Sequence, residues 1–153
     1  MLKLKIGYPE KKEVRLILDM MAKTRVSEEI NTVVTPEKVM QAREIVDEIY
    51  IDDKIKDYIV DIVFATREPK KYGLEGLENM IQFGASPRAT IALTLASKAH
   101  AFLQGRAYVV PQGIKDIALD VLRHRIIVTY EAEAEGVSSE DIVAKVLNKI
   151  AVP

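Results

Sequence analysis

The sequence predicts a mainly α-helical bundle with a short N-terminal β-strand and, at most, a second short strand. Three observations carry this reading. Apolar residues recur at three- and four-residue steps over most of the chain. Capping residues and first-turn prolines stand at the head of those stretches. Only residues 2–6 and 126–130 carry a strand-like pattern.

In residues 2–6, Leu2, Leu4 and Ile6 alternate with Lys3 and Lys5, which puts the three apolar side chains on one face of a strand that Gly7 and Pro9 stop. A lone strand this short is unstable in water, so it needs residues 49–51, residues 126–130 or a segment outside the chain as partner. The third choice makes the chain a fragment. A first helix follows, with Pro9 in its first turn and Val14, Ile17, Leu18 and Met21 on one side. Thr35-Pro36-Glu37 reads as cap, first-turn proline and first-turn acid of a second helix carrying Val39, Ala42, Val46 and Ile49. Asp52 or Asp53 caps a third, along which Ile55, Tyr58, Ile59, Ile62, Val63 and Thr66 form a stripe. Residues 67–84 hold Pro69 and three glycines but also Leu74, Leu77, Ile81 and Phe83, which predicts a partly packed connection with a helical turn. From Ser86 the longest helix carries Ala92, Leu95, Ala96, Ala99, Phe102 and Leu103 and ends at Gly105. Pro111 opens a fifth helix with Ile114, Ile117, Ala118, Val121 and Leu122, and Ser138 with Asp141 resembles a capping box ahead of Ile142, Val143, Val146, Leu147 and Ile150 in a sixth. The first four helices are expected to form the core, with the last two packed against it.

The 153 residues suffice for one domain, and 48% hydrophobic residues suffice for one core. Lys and Arg number 22 against 23 Asp and Glu, a net charge of −1, which gives nucleic acid or an anionic membrane no reason to bind. The absence of cysteine removes disulfides and thiol catalysis. No apolar run approaches the roughly 20 residues that span a bilayer, and a cytoplasmic setting is expected. The phosphate cradles and nucleophile turns of common enzyme motifs are missing. Acid pairs, Glu28-Glu29, Asp52-Asp53 and Glu140-Asp141, stand at predicted helix starts, where capping is a better account than acid–base catalysis. His100 and His124 have no second metal ligand near them in sequence.

The informative segment is Gly84-Ala85-Ser86-Pro87-Arg88-Ala89. Ser86 can cap the helix and Pro87 fits its first position, which leaves Arg88 in the first turn, where the helix dipole already holds about half a positive charge. Four residues before Ala92, Arg88 is expected on the packed side of the helix, beside exposed amides that suit a phosphate. The alternative is that Arg88 bends back to water or pairs with a structural carboxylate, and the residues alone leave both open.

That hexapeptide is followed by Ala99-His100-Ala101-Phe102-Leu103-Gln104-Gly105-Arg106, Tyr108-Val109-Val110-Pro111 and Val121-Leu122-Arg123-His124-Arg125-Ile126. In this order the four strings resemble the C-terminal lid of MoxR-family AAA+ ATPases. The resemblance implies that residues 1–8 are the last strand and linker of an AAA+ core and residues 9–153 the helical lid, with 126–153 as its C-terminal extension. It implies that Arg88 is the sensor-2 arginine reaching the terminal phosphates of ATP, with Ser86 and Pro87 positioning its helix. The parent would be an ATPase using ATP and Mg²⁺, assembled as a hexameric ring, its lid working with the core of the same polypeptide, with neighbouring subunits and with a client protein that this sequence does not name. The Walker motifs, sensor 1 and arginine finger are absent here, so the chain alone is expected to bind no cofactor and turn over no ATP. Arg67 and the Arg123/Arg125 pair match recurrent family positions, expected to hold the lid together or face a neighbour, and the segment 70–83 looks like a subfamily insertion. Two rivals remain: a stand-alone helical interaction or oligomerisation module, and a helix-turn-helix DNA binder, for which Asp116 and Asp120 beside Lys115 and Arg123 make the wrong charge.

Overall fold

A computed structural model describes residues 1–24 and 31–153; the Glu28-Glu29 pair lies outside the described residues. In order, the elements are α1 (Lys11–Met21), α2 (Pro36–Glu48), α3 (Asp53–Ala65), β1 (Ile81–Phe83), α4 (Pro87–Leu103), α5 (Pro111–Leu122), β2 (Ile127–Val128), α6 (Tyr130–Ala134) and α7 (Ser139–Lys149). The connection 67–84 contains two turns of 3-10 helix, Pro69–Tyr72 and Glu75–Leu77, with Leu77 buried, so it is packed as its apolar residues require.

The core lies between α3, α4, α5 and α7. Ile59, Ile62 and Val63 from α3 meet Leu93 from α4, Ile114 and Leu122 from α5, and Ile142 and Val146 from α7, all with almost no exposure. This corrects the expectation that the first four helices form it. No residue of α1 or α2 is buried, and the predicted α1 stripe of Val14, Ile17, Leu18 and Met21 stays about half exposed. Periodicity reveals that a face calls for cover but not where the cover comes from. Helix α2 does rest on α4, where Lys98 Nζ donates to the Asp47 carbonyl at 2.8 Å, and the adjoining Ile49 is buried.

The helix signals formed largely as read. The Thr35 hydroxyl accepts from Lys38 N, and the Asp52 carboxylate from Lys54 N at 2.9 Å. Ser138 and Asp141 form the full capping box. Gly105 adopts φ +68° beyond α4, and Arg106 N donates to the Ala101 carbonyl at 2.9 Å, closing the helix end.

The strands were placed differently. Residues 2–6 form no strand; Lys3 N donates to the Asp120 carbonyl at 2.8 Å, while Leu2, Leu4 and Ile6 are exposed. Both partners considered within the chain are taken. Ile127–Val128 pairs antiparallel with Ile81–Phe83, and Tyr50 forms a parallel bridge with Tyr108, in which Tyr50 N donates to Ala107 O and Val109 N to Tyr50 O. Residue 130 starts the short helix α6 instead of extending β2, because the Thr129 side chain accepts from Ala132 N and caps it.

Candidate functional site

Helix α4 begins where β1 ends, and the turn between them is clasped against the C-terminal end of α3. Thr66, fully buried, donates its hydroxyl to the Val63 carbonyl at 2.7 Å and accepts from Ala85 N at 2.9 Å. Gly84 lies so close that a Cβ there would sit 2.3 Å from the Thr66 carbonyl oxygen. Beside this joint opens a cleft of about 570 Å³ whose walls include Arg67, Pro69, Lys70 and Gln82.

From this anchor the chain runs through Ser86, extended at ψ 168° as a residue before proline must be, into Pro87 at the first helical position. The Ser86 side chain makes no capping hydrogen bond, contrary to expectation; its carbonyl accepts from Ala89 N at 2.8 Å. Proline already removes one of the orphan amides a cap would serve.

Arg88 is exposed, not turned into the packed side as expected. The buried face of α4 runs through Ala89, Ala92, Leu93 and Ala96, and Arg88 shares the outward strip with Ile91 and Leu95, 60% and 38% exposed. The first turn of α4 contains no acid, and among the described residues no carboxylate pairs with Arg88. Among the described residues the guanidinium therefore has no counter-charge beside the positive end of α4.

Arg123, Arg125 and Arg67 make their contacts inside the chain. Arg123 pairs with Asp120 at 3.0 Å and Glu140 at 3.5 Å, and its Nε donates to the Leu119 carbonyl. Arg125 donates to the Val121 and Met1 carbonyls at 2.9 and 3.2 Å. Arg67 lies over the Phe64 ring at 4.9 Å. His100 Nε2 faces Asp116 at 3.4 Å, and His124 is held below its ordinary pKa by partial burial, then by Arg125 and Lys3. Among the described residues no group of three acids or histidines can hold a metal ion. In each described acid pair one member serves a helix start and the other an ion pair: Asp52 caps α3 while Asp53 pairs with Lys56 at 2.7 Å, and Asp141 completes its box while Glu140 pairs with Lys5 and Arg123.

The Thr66–Gly84 joint is what sequence reasoning missed. Thr66 reads as the end of an apolar stripe and Gly84 as the head of the α4 start, and nothing local pairs them.

Residues 76–146 match the AAA lid domain family, a span from the second 3-10 turn into α7. Over 151 residues, 99% of this chain, the sequence is 34% identical to Chaperone MoxR1 of Mycobacterium tuberculosis, covering 40% of that protein. Residues 76–146 are an AAA lid domain, and the chain as a whole is similar to MoxR-type proteins. The uncharacterized protein YeaC of Bacillus subtilis is 35% identical over 151 residues, of which the lid spans 44%. The crystal structure of a protein from Cytophaga hutchinsonii, assigned as an ATPase, superposes on the whole lid with a TM-score of 0.93 and 37% identity, across 46% of that chain. The lid thus spans less than half the length of these relatives. Among its described residues no helix is long and apolar enough to cross a membrane.

Proposed function

We propose that this lid closes over ATP bound by the AAA+ core of its parent polypeptide and brings Arg88, as the sensor-2 arginine, to the terminal phosphates. One observation carries the reading: Arg88 is an exposed, unpaired cation among the described residues, in the acid-free first turn of α4. An anion there relieves both the helix end and the guanidinium, and a guanidinium binds phosphate oxygens bidentately. Charge builds on those oxygens during phosphoryl transfer, so the contact stabilises the transition state more than bound ATP. Ser86 and Pro87 set the start of the helix that carries it. Mg²⁺ and the remaining phosphate contacts are assigned to the rest of the parent protein, with residues 1–8 leading out of its core. In this reading the parent is a cytoplasmic ring, hexameric as AAA+ proteins of this type are, which couples hydrolysis to remodelling or maturation of a client protein complex.

The test compares Arg88→Ala in the isolated lid and in the full-length parent. Thermal unfolding of the lid should shift little or rise slightly, because the lost charge opposed the helix dipole. ATP turnover by the parent should slow by roughly tenfold to a thousandfold. A lid that melts many degrees earlier, with a folded parent that turns over normally, would make Arg88 structural. The isolated lid should release no phosphate from ATP above buffer.

A further inference from the structure

We propose that Thr66 is a positioning residue for Arg88, a role that rests on the sensor-2 reading above. The Thr66 hydroxyl is used in both directions: it donates to the Val63 carbonyl at 2.7 Å, within the last turn of α3, and accepts from Ala85 N at 2.9 Å across the chain. Thr66 and Ala85 are both fully buried, so water offers neither group a substitute partner. From the other side the Gly84 backbone presses on the Thr66 carbonyl, where a Cβ would come within 2.3 Å.

Residues 84 and 85 are therefore fixed to the end of α3 by one hydrogen bond and one close packing contact. Arg88 follows Ala85 by three residues, and little freedom is left between them. Ser86 is extended before a proline whose ring fixes its own φ, and Ala89 N already closes the first turn on Ser86 O. The placement of the α4 start, and with it the outward strip of Arg88, Ile91 and Leu95, is thereby referred to α3. Loss of the Thr66 hydroxyl orphans a buried amide three residues upstream of the arginine. The turn is then free to re-form with a different helix start.

A purely structural Thr66 would affect stability without regard to Arg88. The deciding experiment is a double-mutant cycle on ATP hydrolysis by the full-length parent, with Thr66→Val, Thr66→Ala, Thr66→Ser and Arg88→Ala, alone and combined. Thr66→Val should lower kcat by roughly tenfold or more with a smaller effect on KM. Adding it to Arg88→Ala should slow hydrolysis no further than about twofold, since a positioning residue acts only through the group it positions. Thr66→Ser, which keeps both hydrogen bonds, should retain most of the rate. Thr66→Ala removes the same bonds without placing a methyl against the amide, and it takes the place of Thr66→Val if that variant does not fold.

If Arg88→Ala alone leaves turnover unchanged, the sensor-2 reading fails and the proposal with it. If Arg88→Ala slows the enzyme while Thr66→Val or Thr66→Ala leaves kcat unchanged, or multiplies the Arg88→Ala defect, the sensor-2 reading stands and Thr66 has no positioning role.

Discussion

Two glycines in this lid have the same composition and different obligations. At Gly84 an added Cβ meets the Thr66 carbonyl at 2.3 Å, backbone that cannot swing aside, whereas at Gly113 it meets His100 Cδ2 at 3.2 Å, a side chain with some room to turn. Gly84→Ala should therefore cost about 1–3 kcal/mol, as overpacking does, and Gly113→Ala clearly less, partly offset by alanine's better helix propensity within α5. Chemical denaturation of the two variants checks the order; equal losses would mean that the 84–66 contact yields as easily as the histidine. Single residues were also where sequence reasoning reached least far. The Gly84–Thr66 contact joins positions far apart in the chain, so no local pattern announces it. Arg88 faces outward where helical spacing points to the packed side, because the apolar stripe of α4 is broad and only packing shows that Ala89, Ala92, Leu93 and Ala96 own the buried side while Leu95 does not.

Elements were more legible because helix ends are written in neighbouring residues. Thr35-Pro36, Asp52, Pro111 and the Ser138/Asp141 box each mark a helix start that formed there, through hydrogen bonds or ring constraints spanning at most three residues. Strands were less legible, since a ladder depends on a partner elsewhere. Residues 2–6 alternate as well as any strand and have no ladder, while Ile81-Gln82-Phe83 looked like part of a connection and found Ile127–Val128. The α7 box also predicts a pH dependence. The Ser138 side chain, then its backbone amide, hold the Asp141 carboxyl below its ordinary pKa. A depressed carboxylate contributes stability that is complete above its unfolded pKa and is lost as pH falls through the folded value. Acidification through that window should loosen the start of α7, and Ser138→Ala should destabilise the lid by about 0.5–2 kcal/mol at neutral pH and by less in acid. Urea titrations of both proteins across the carboxylate range provide the check; a Ser138→Ala loss that does not shrink in acid would show that Asp141 is not its partner.

At the scale of the molecule, stability is unevenly distributed. Helices α3, α4, α5 and α7 share one core, whereas no residue of α1 is buried. Ile62→Ala should cost the isolated lid about 2–5 kcal/mol, while Leu18→Ser on α1 should fall within roughly 0.5 kcal/mol of no effect. Hydrogen exchange should show the α1 amides opening far more readily than those of α3. Strong protection of α1 in the isolated lid would reveal contacts that its exposed Val14, Ile17, Leu18 and Met21 do not show. The backbone bridge between Tyr50 and Tyr108 also predicts an order of folding events. It closes a loop that contains all of α3, β1 and α4, whereas α4 and α5 meet across a short turn and can dock early. Loop closure over so long a stretch is entropically expensive until the helices inside it have formed, so this bridge is expected on the late, downhill side of the folding barrier. Weakening it should hasten unfolding and leave the rate of folding nearly untouched in stopped-flow kinetics, so that the Tyr50–Tyr108 bridge governs how long the folded lid persists more than how quickly it forms.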